Sequence, residues 1–342
     1  MKKFTLYILT AFGLMGLATS CNDFGDVNND PMNLNPGVVD YKMEFTQVEA
    51  QICGSDWDVW RNGCIYTANM IQHTASVDWA YGVFYTWNDQ YSGAYWGGFY
   101  SGGRAAIRNI IDVMNNWEGN PAYANEYQMC RILKAYMFQN MTDLYGDVPY
   151  SEAGQGYSTN PIPYPKYDTQ EAIYNDLLKE LDEAQAALST SAGNTIGAAD
   201  VIYNGDAAKW KKFANSLMLR VAMRLTKVAP DKAKTWVAKA VSNGLFVSND
   251  DNAIVRHTNG SPSDDSAEPY GKVFSSLDTQ AFYISETFIN ILQDDPRLPL
   301  IATVCTRDPK PGWGDADFDL GDNTAAKQKG MPVMMCQEET GI

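Results

Sequence analysis

The stretch from Asn120 to Tyr150, NPAYANEYQMCRILKAYMFQNMTDLYGDVPY, narrows the folds open to this chain more than any other. Asn120 suits a helix N-cap, and Pro121 suits the first turn, where a missing N–H costs nothing. Cys130, Leu133, Met137, Met141 and Leu144 then recur every three or four residues, the period of a buried helical stripe. Gly146 tolerates a left-handed exit and Pro149 cannot continue a helix, so the segment stops in the acidic, aromatic turn Tyr145–Tyr150. It reads as a core helix with a tight exit and carries no obvious catalytic group.

Further helices follow from the same periodicity. Val38 to His73 is predicted as two helices with a break near Gly54-Ser55-Asp56, and Gly102 to Trp117 as one, with Ile107, Ile110, Ile111 and Met114 inward. Ser151 to Tyr167 is a Gly- and Pro-rich loop. Asp168 and Glu171 are spaced as a capping box for a helix over Thr169–Leu188, with Ile173, Leu177, Leu181 and Ala184 facing the core. After a small-residue loop, Ser189 to Asp200, Asp206 caps a helix whose buried face is Trp210, Phe213, Leu217, Val221 and Leu225. Its Lys211, Lys212, Arg220 and Arg224 are read as ion-pair partners for neighbouring helices. Asp231 starts another helix, Asn249 to Tyr270 is a polar loop, and Phe282 to Leu292 is predicted helical. Paired helices of this length predict an all-α fold, a helical-repeat scaffold with long irregular loops, although no single repeat consensus is matched.

The N-terminus is an address. Lys2 and Lys3 precede an apolar run from Phe4 to Leu17, and Leu17-Ala18-Thr19-Ser20-Cys21 places small residues directly before a cysteine. Residues 1–20 are read as a lipoprotein signal peptide, Cys21 as the lipidated first residue of the mature chain, 21–37 as a tether, and 38–342 as the helical domain, C-terminally incomplete. The competing reading is a plain secretory signal with a chance cysteine. Two or more acyl chains, at about 0.8 kcal/mol per buried CH₂, would anchor a body that has no later segment resembling a spanning helix. Cleavage would remove two lysines and no acid, taking the net charge from −15 to −17. That charge argues against nucleic acid as a partner. Cys53, Cys64, Cys130, Cys305 and Cys336 would then remain, enough for at most two disulfides and without zinc spacing. The Asp/Asn-rich strap after Cys21 lacks the Gly-centred, Glu-closed loop of a calcium site. No metal or cofactor is expected.

From Trp79 to Tyr100, ten of twenty-two residues are aromatic, interrupted by glycines and polar residues with no sustained period. Some of these rings would wedge helices together. Flat rings mixed with Asn88, Asp89, Gln90 and Ser92 also suit a recognition surface, because Trp and Tyr combine apolar faces with polar edges. Sugars present C–H faces and hydroxyls that such a surface can stack and hydrogen-bond. Trp87, Asn88, Asp89, Tyr91 and Trp96 are the candidate ligand-binding residues on that local chemistry.

Four stretches together resemble the SusD/RagB family of Bacteroidetes outer-membrane lipoproteins, in its SusD-like branch. They are Cys21 with Asp23, Phe24, Asn28 to Asp30 and Pro31; DLYGDVPY from Asp143 to Tyr150; YDTQEAIY from Tyr167 to Tyr174, running into LLKELDEA; and Tyr203 to Leu225, YNGDAAKWKKFANSLMLRVAMRL. Asp294-Asp295-Pro296-Arg297 also fits. The resemblance implies tetratricopeptide-like helix pairs and a lipid anchor at the surface of the outer membrane. It further implies a SusC-like TonB-dependent transporter as partner and the capture of oligosaccharides for import. Ligand-contacting aromatics vary within the family, so it assigns none of the candidates by motif.

A glycan-active hydrolase is the main rival. It would need two carboxylates about 5–9 Å apart, and a chain with 41 acids places some pair so by chance. The sequence has no G-x-S-x-G elbow and no H-E-x-x-H motif, and its two histidines, His73 and His257, stand apart and read as structural. A structural surface lipoprotein, and a binder of peptide or another nutrient, also compete with non-enzymatic glycan binding.

Overall fold

The computed structural model describes residues 39–333 except 53, 77, 103, 157–159, 258–268, 274–281, 303, 305–321 and 323. The signal segment, Cys21, the strap to residue 37, Cys53, Cys305 and Cys336 lie outside the described residues. In order, the elements are α1 (Tyr41–Gln51), α2 (Asp56–Asp58) running into a π-helix (Val59–Ala68), and β1 (Thr74–Ser76). Next come α3 (Tyr81–Phe84), α4 (Asp89–Ser92), α5 (Ala94–Tyr100), α6 (Ala106–Trp117), α7 (Ala124–Tyr145), β2 (Val148–Pro149) and β3 (Tyr167–Asp168). The remainder is α8 (Gln170–Ala187), α9 (Ala207–Arg224), α10 (Pro230–Asn243), α11 (Pro269–Lys272), β4 (Phe282–Ile284), α12 (Glu286–Ile291) and α13 (Leu298–Ile301).

The long helices stack in sequence order, α6 on α7, α7 on α8, α8 on α9 and α9 on α10, with α7 also reaching α9. This is the repeat-like all-α scaffold that the paired periodicities predict. Met129, Cys130, Leu133, Met137 and Met141 of α7 are fully buried, as are Ile173, Leu177 and Leu181 of α8 and Trp210, Met218 and Val221 of α9. Cys130 is a buried free thiol, its pKa pushed up by desolvation. Arg131 of α7 grips Glu180 of α8 through two hydrogen bonds of 2.9 Å, a bidentate pair that fixes helix register. Ala233 and Ala240, the buried residues of α10, are small enough to bring it close against α9.

Four expectations change. Leu144, placed on the buried stripe of α7, is 39% exposed. Lys211 and Arg220, read as ion-pair partners, meet no carboxylate among the described residues, and Arg220 lies over the ring of Tyr136, while Lys212 and Arg224 do pair. The cap of α8 is Thr169, whose hydroxyl accepts from the Ala172 N–H, and not Asp168. Asp168 instead accepts from the backbone and hydroxyl of Ser151, both at 2.7 Å. The stretch Phe282–Leu292 is not helical throughout. Its first three residues form β4, antiparallel to β1 with Ala75 opposite Tyr283, and the helix begins only where Ser285 caps it. A second short ladder sets Val148 opposite Asp168 and Pro149 opposite Tyr167, joining the exit of α7 to the entry of α8.

Buried acids hold the loop between α8 and α9. Asp200, 1% exposed, accepts from the backbone N–H groups of Ile202, Tyr203 and Gly205 and from the indole of buried Trp210, all at 2.7–3.0 Å. Glu126 of α7 accepts from Thr195 and Ile196. Glu49 of α1 accepts from the Val201 N–H at 2.8 Å and faces Asp200. Desolvation, then the Asp200 charge, push Glu49 up to about 10, so its carboxyl keeps its proton at neutral pH.

Two outcomes follow for stability. In the unfolded chain Glu49 loses its proton near pH 4.3, and in the folded chain only near 10. Its contribution is therefore fully present below the lower value and is lost progressively as pH rises through that window. Glu49→Gln mimics the protonated form, and its melting temperature should exceed that of the parent by more at pH 9 than at pH 5; parallel curves would refute this. For the cap, Thr169→Ala should cost about 1 kcal/mol in denaturant unfolding. Exposed Glu171→Ala should be nearly neutral, whereas a capping box would make both costly.

Candidate functional site

The aromatic run is organised by the π-helix Val59–Ala68, a wide helical form that is rare beyond a single turn. It is entered through a reciprocal cap. Ser55 Oγ accepts from the Asp58 N–H, and Asp58 Oδ2 accepts from the Ser55 N–H. Asp58, 2% exposed, also forms an ion pair with Arg104. Buried Asn62 of the π-helix donates to the Ser92 carbonyl at 3.0 Å and accepts from the Tyr95 N–H at 3.1 Å, tying α4 and α5 to it. The Tyr66 hydroxyl accepts from the Asn88 N–H at 2.9 Å and donates to the Thr86 carbonyl at 3.3 Å, which fixes the turn that displays Trp87. Gly82 lets α3 approach, because a Cβ there would lie 2.6 Å from the Ile65 carbonyl.

The exit of α7 supports the same surface. Tyr145 donates to the Ser92 carbonyl at 2.8 Å and accepts from the Trp96 N–H at 3.2 Å. Tyr100 donates to the Pro149 carbonyl at 2.5 Å, and desolvation raises the pKa of both phenols.

Of the ten rings between Trp79 and Tyr100, most pack and three project. Phe99 is buried, and Trp79, Tyr81, Tyr91, Tyr95, Trp96 and Tyr100 are half-buried. Phe84, Tyr85 and Trp87 are exposed, Trp87 to 75%. The five candidates divide accordingly. Trp87 projects, and its indole N–H donates to the exposed carboxylate of Asp89. The Asn88 side-chain oxygen is engaged in capping α4. Tyr91 meets Trp60 and Tyr81 with tilted or edge contacts. Trp96 stacks on Tyr167 with centroids 6.0 Å apart and meets Tyr145 edge-on.

Three participants carry no clear mark in the sequence. Trp57, 47% exposed, sits edge-on to Trp60, and Arg61 lies over the rings of Trp57, Trp60 and Tyr91. Tyr167, 61% exposed, extends the surface beside Trp96. The spacing of Trp57 and Arg61, four apart in SDWDVWRNG, is the one signal, since helical neighbours at that spacing share a face. Nothing local tells which face stays exposed.

Residues 39–329 match the family model SusD-like, described as "Starch-binding associating with outer membrane". The chain belongs to this family. Among solved structures, it resembles a chitin-binding protein at 30% identity, covering 88% of this chain and 61% of the other, with a TM-score of 0.72. A Bacteroidetes SusD-like protein gives 31% identity, coverage of 76% and 50%, and a TM-score of 0.65. A chitin-binding SusD homolog from Flavobacterium johnsoniae gives 26%, 75% and 53%, and 0.61. The chain thus spans between half and about three fifths of the length of these relatives. A comparison with curated protein sequences returned no match.

Three of the SusD-like signatures meet at one point. Asp143 of DLYGDVPY accepts from Tyr174 of YDTQEAIY and pairs with Arg224 of α9 at 2.9 Å, and Arg224 also donates to the Tyr174 hydroxyl at 3.0 Å. Gln170 adds a bond from its side chain to the Thr142 carbonyl at 2.7 Å and one from its N–H to Asp147 at 2.8 Å. A cavity of about 390 Å³ opens beside this node. In this SusD-like chain the signatures therefore act as joints of the scaffold, and apart from Tyr167 the projecting rings lie outside them. Trp87→Ala should change unfolding free energy by less than about 0.5 kcal/mol. Trp60→Ala, at a ring 9% exposed, should cost about 3–5 kcal/mol. Equal costs in denaturant titrations would contradict the division between displayed and packed rings.

Proposed function

We propose that the protein binds oligosaccharides at the cell surface without chemical turnover and delivers them to a SusC-like TonB-dependent transporter in the outer membrane. The observation that carries this reading is the set of projecting rings, Trp57, Tyr85 and Trp87, on a chain of the SusD-like family. Exposed aromatic faces backed by rigid packing stack on sugar C–H faces with little entropy to lose, and neighbouring Asp and Asn groups can select hydroxyls. The family description names starch and outer-membrane association, and two similar solved proteins are named as chitin-binding, which supports a glycan as the ligand. Residues 1–20 would be removed on export, Cys21 would carry the lipid, 21–37 would act as the tether, and the helical body from 38 would be held at the outer face. No described helix is long and apolar enough to cross a membrane.

Within this reading Trp87, Asp89, Tyr91 and Trp96 contribute faces and acceptors, and Asn88 acts by shaping the turn. Calorimetric titration of the Cys21-deleted chain against a glycan panel should find a ligand that is recovered unchanged. Trp87→Ala and Trp96→Ala should each weaken that ligand about tenfold, in the range of a truncated anchor residue. Sugar turnover, or a panel with no ligand, would overturn the proposal; unchanged affinity in both variants would move the site elsewhere.

A further inference from the structure

Arg61 lies against three aromatic rings, more than any other base among the described residues, whereas Arg220 over Tyr136 and Lys209 over Tyr203 each meet one. Arg104, Arg131, Lys212, Arg224 and Lys239 each pair with a carboxylate. Among the described residues no carboxylate pairs with Arg61, although the chain has 41 acids against 26 bases. Its guanidinium lies 5.1 Å from the ring centroid of Trp57, 5.9 Å from that of Trp60 and 5.7 Å from that of Tyr91. The Nε is buried and has no hydrogen-bond acceptor.

Ring faces attract the positive charge but do not accept the N–H donors as a carboxylate would. The cation is therefore held in place by packing; its Nε is buried out of a ligand's reach, and its two terminal nitrogens are the donors that meet no carboxylate among the described residues. Restraining a guanidinium in this way removes much of the rotamer entropy that a free arginine loses on binding. The open group stands beside Trp57, a half-exposed ring able to take a sugar face. A planar fork next to a stacking platform matches a sugar that carries an anionic substituent.

We propose that Arg61 makes the aromatic surface selective for glycans bearing an acidic group, a carboxylate or a sulfate, with the acid in the guanidinium fork and the ring on Trp57. This inference rests on the glycan-binding reading above and narrows it to a ligand class. The long-range field of a chain with net charge −15 disfavours anions, so the preference must come from this local, charge-assisted contact.

The test is calorimetric titration of the full chain and of Arg61→Gln and Arg61→Lys with three oligosaccharides of equal length: oligogalacturonate, a sulfated galactan and a neutral chitooligosaccharide. The parent should bind one or both acidic ligands about tenfold or more tightly than the neutral one, the scale of one charge-assisted contact. The arm with the larger gain tells carboxylate from sulfate. Arg61→Gln should abolish the preference, and Arg61→Lys, which keeps the charge but not the fork, should retain only part of it. Because Arg61 lies against three rings, melting curves accompany each variant; if the Gln variant is unfolded, the Lys variant decides. Neutral and acidic ligands bound equally by the parent, or a preference surviving in a folded variant, would overturn the proposal and leave glycan binding intact. Absence of binding in all three arms would remove the glycan-binding reading and this inference with it.

Discussion

Four N–H groups converge on the buried carboxylate of Asp200, and the helical stack depends on that arrangement. Helices α8 and α9 are joined by a long loop that must cross the end of the stack without stranding its backbone. Asp200 gathers that loop and ties it to the indole of Trp210, the largest fully buried side chain of α9. Glu126 from α7 and Glu49 from α1 take further N–H groups from the same loop. Peptide N–H groups thus compensate the three buried acids, and among the described residues no cation pairs with them. The cost appears in the protonation of Glu49, since two adjacent carboxylates cannot both stay charged in a desolvated site.

A second set of contacts transfers this rigidity to the surface. The α7 helix ends at Tyr145, whose hydroxyl reaches the turn between α4 and α5, and the Pro149 carbonyl receives the hydroxyl of Tyr100. Gly146, with φ of 77°, permits the sharp change of direction between these two contacts. The segment DLYGDVPY therefore links the packed helices to the half-buried rings, and those rings support the exposed ones. Asp143 in the same segment closes the node with Tyr174 and Arg224, so one short stretch serves both the scaffold and its displayed face.

The long helices are legible in the sequence because burial of one face imposes a period on α7, α8 and α9 that survives whatever packs against it. Asp206 is legible as a cap for the same local reason. What stays hidden depends on distant partners. Asp168 and Thr169 can both cap a helix, and Ser151 claims the first. Phe282–Ile284 carries no alternation strong enough to announce a strand, and its partner Thr74–Ser76 is remote in sequence. In the aromatic run, composition announces an unusual surface but cannot sort Trp87 from Trp96 or Phe99, because exposure of a ring is a property of its neighbours. Arg61 is hidden for a related reason, since its interest lies in the carboxylate that it does not meet.

Helix α4, which follows Trp87, buries none of its own residues. It is held through backbone groups, the Ser92 carbonyl and the Asn88 N–H, by Asn62, Tyr145 and Tyr66 from other elements. Apart from Tyr91, which packs on Trp60 and Tyr81, and Asn88, which caps the helix, side chains on this segment can consequently be exchanged with little disturbance to the contacts that position it. Such a display can diverge in sequence faster than its support, so the exposed surface can change while the architecture beneath remains constant.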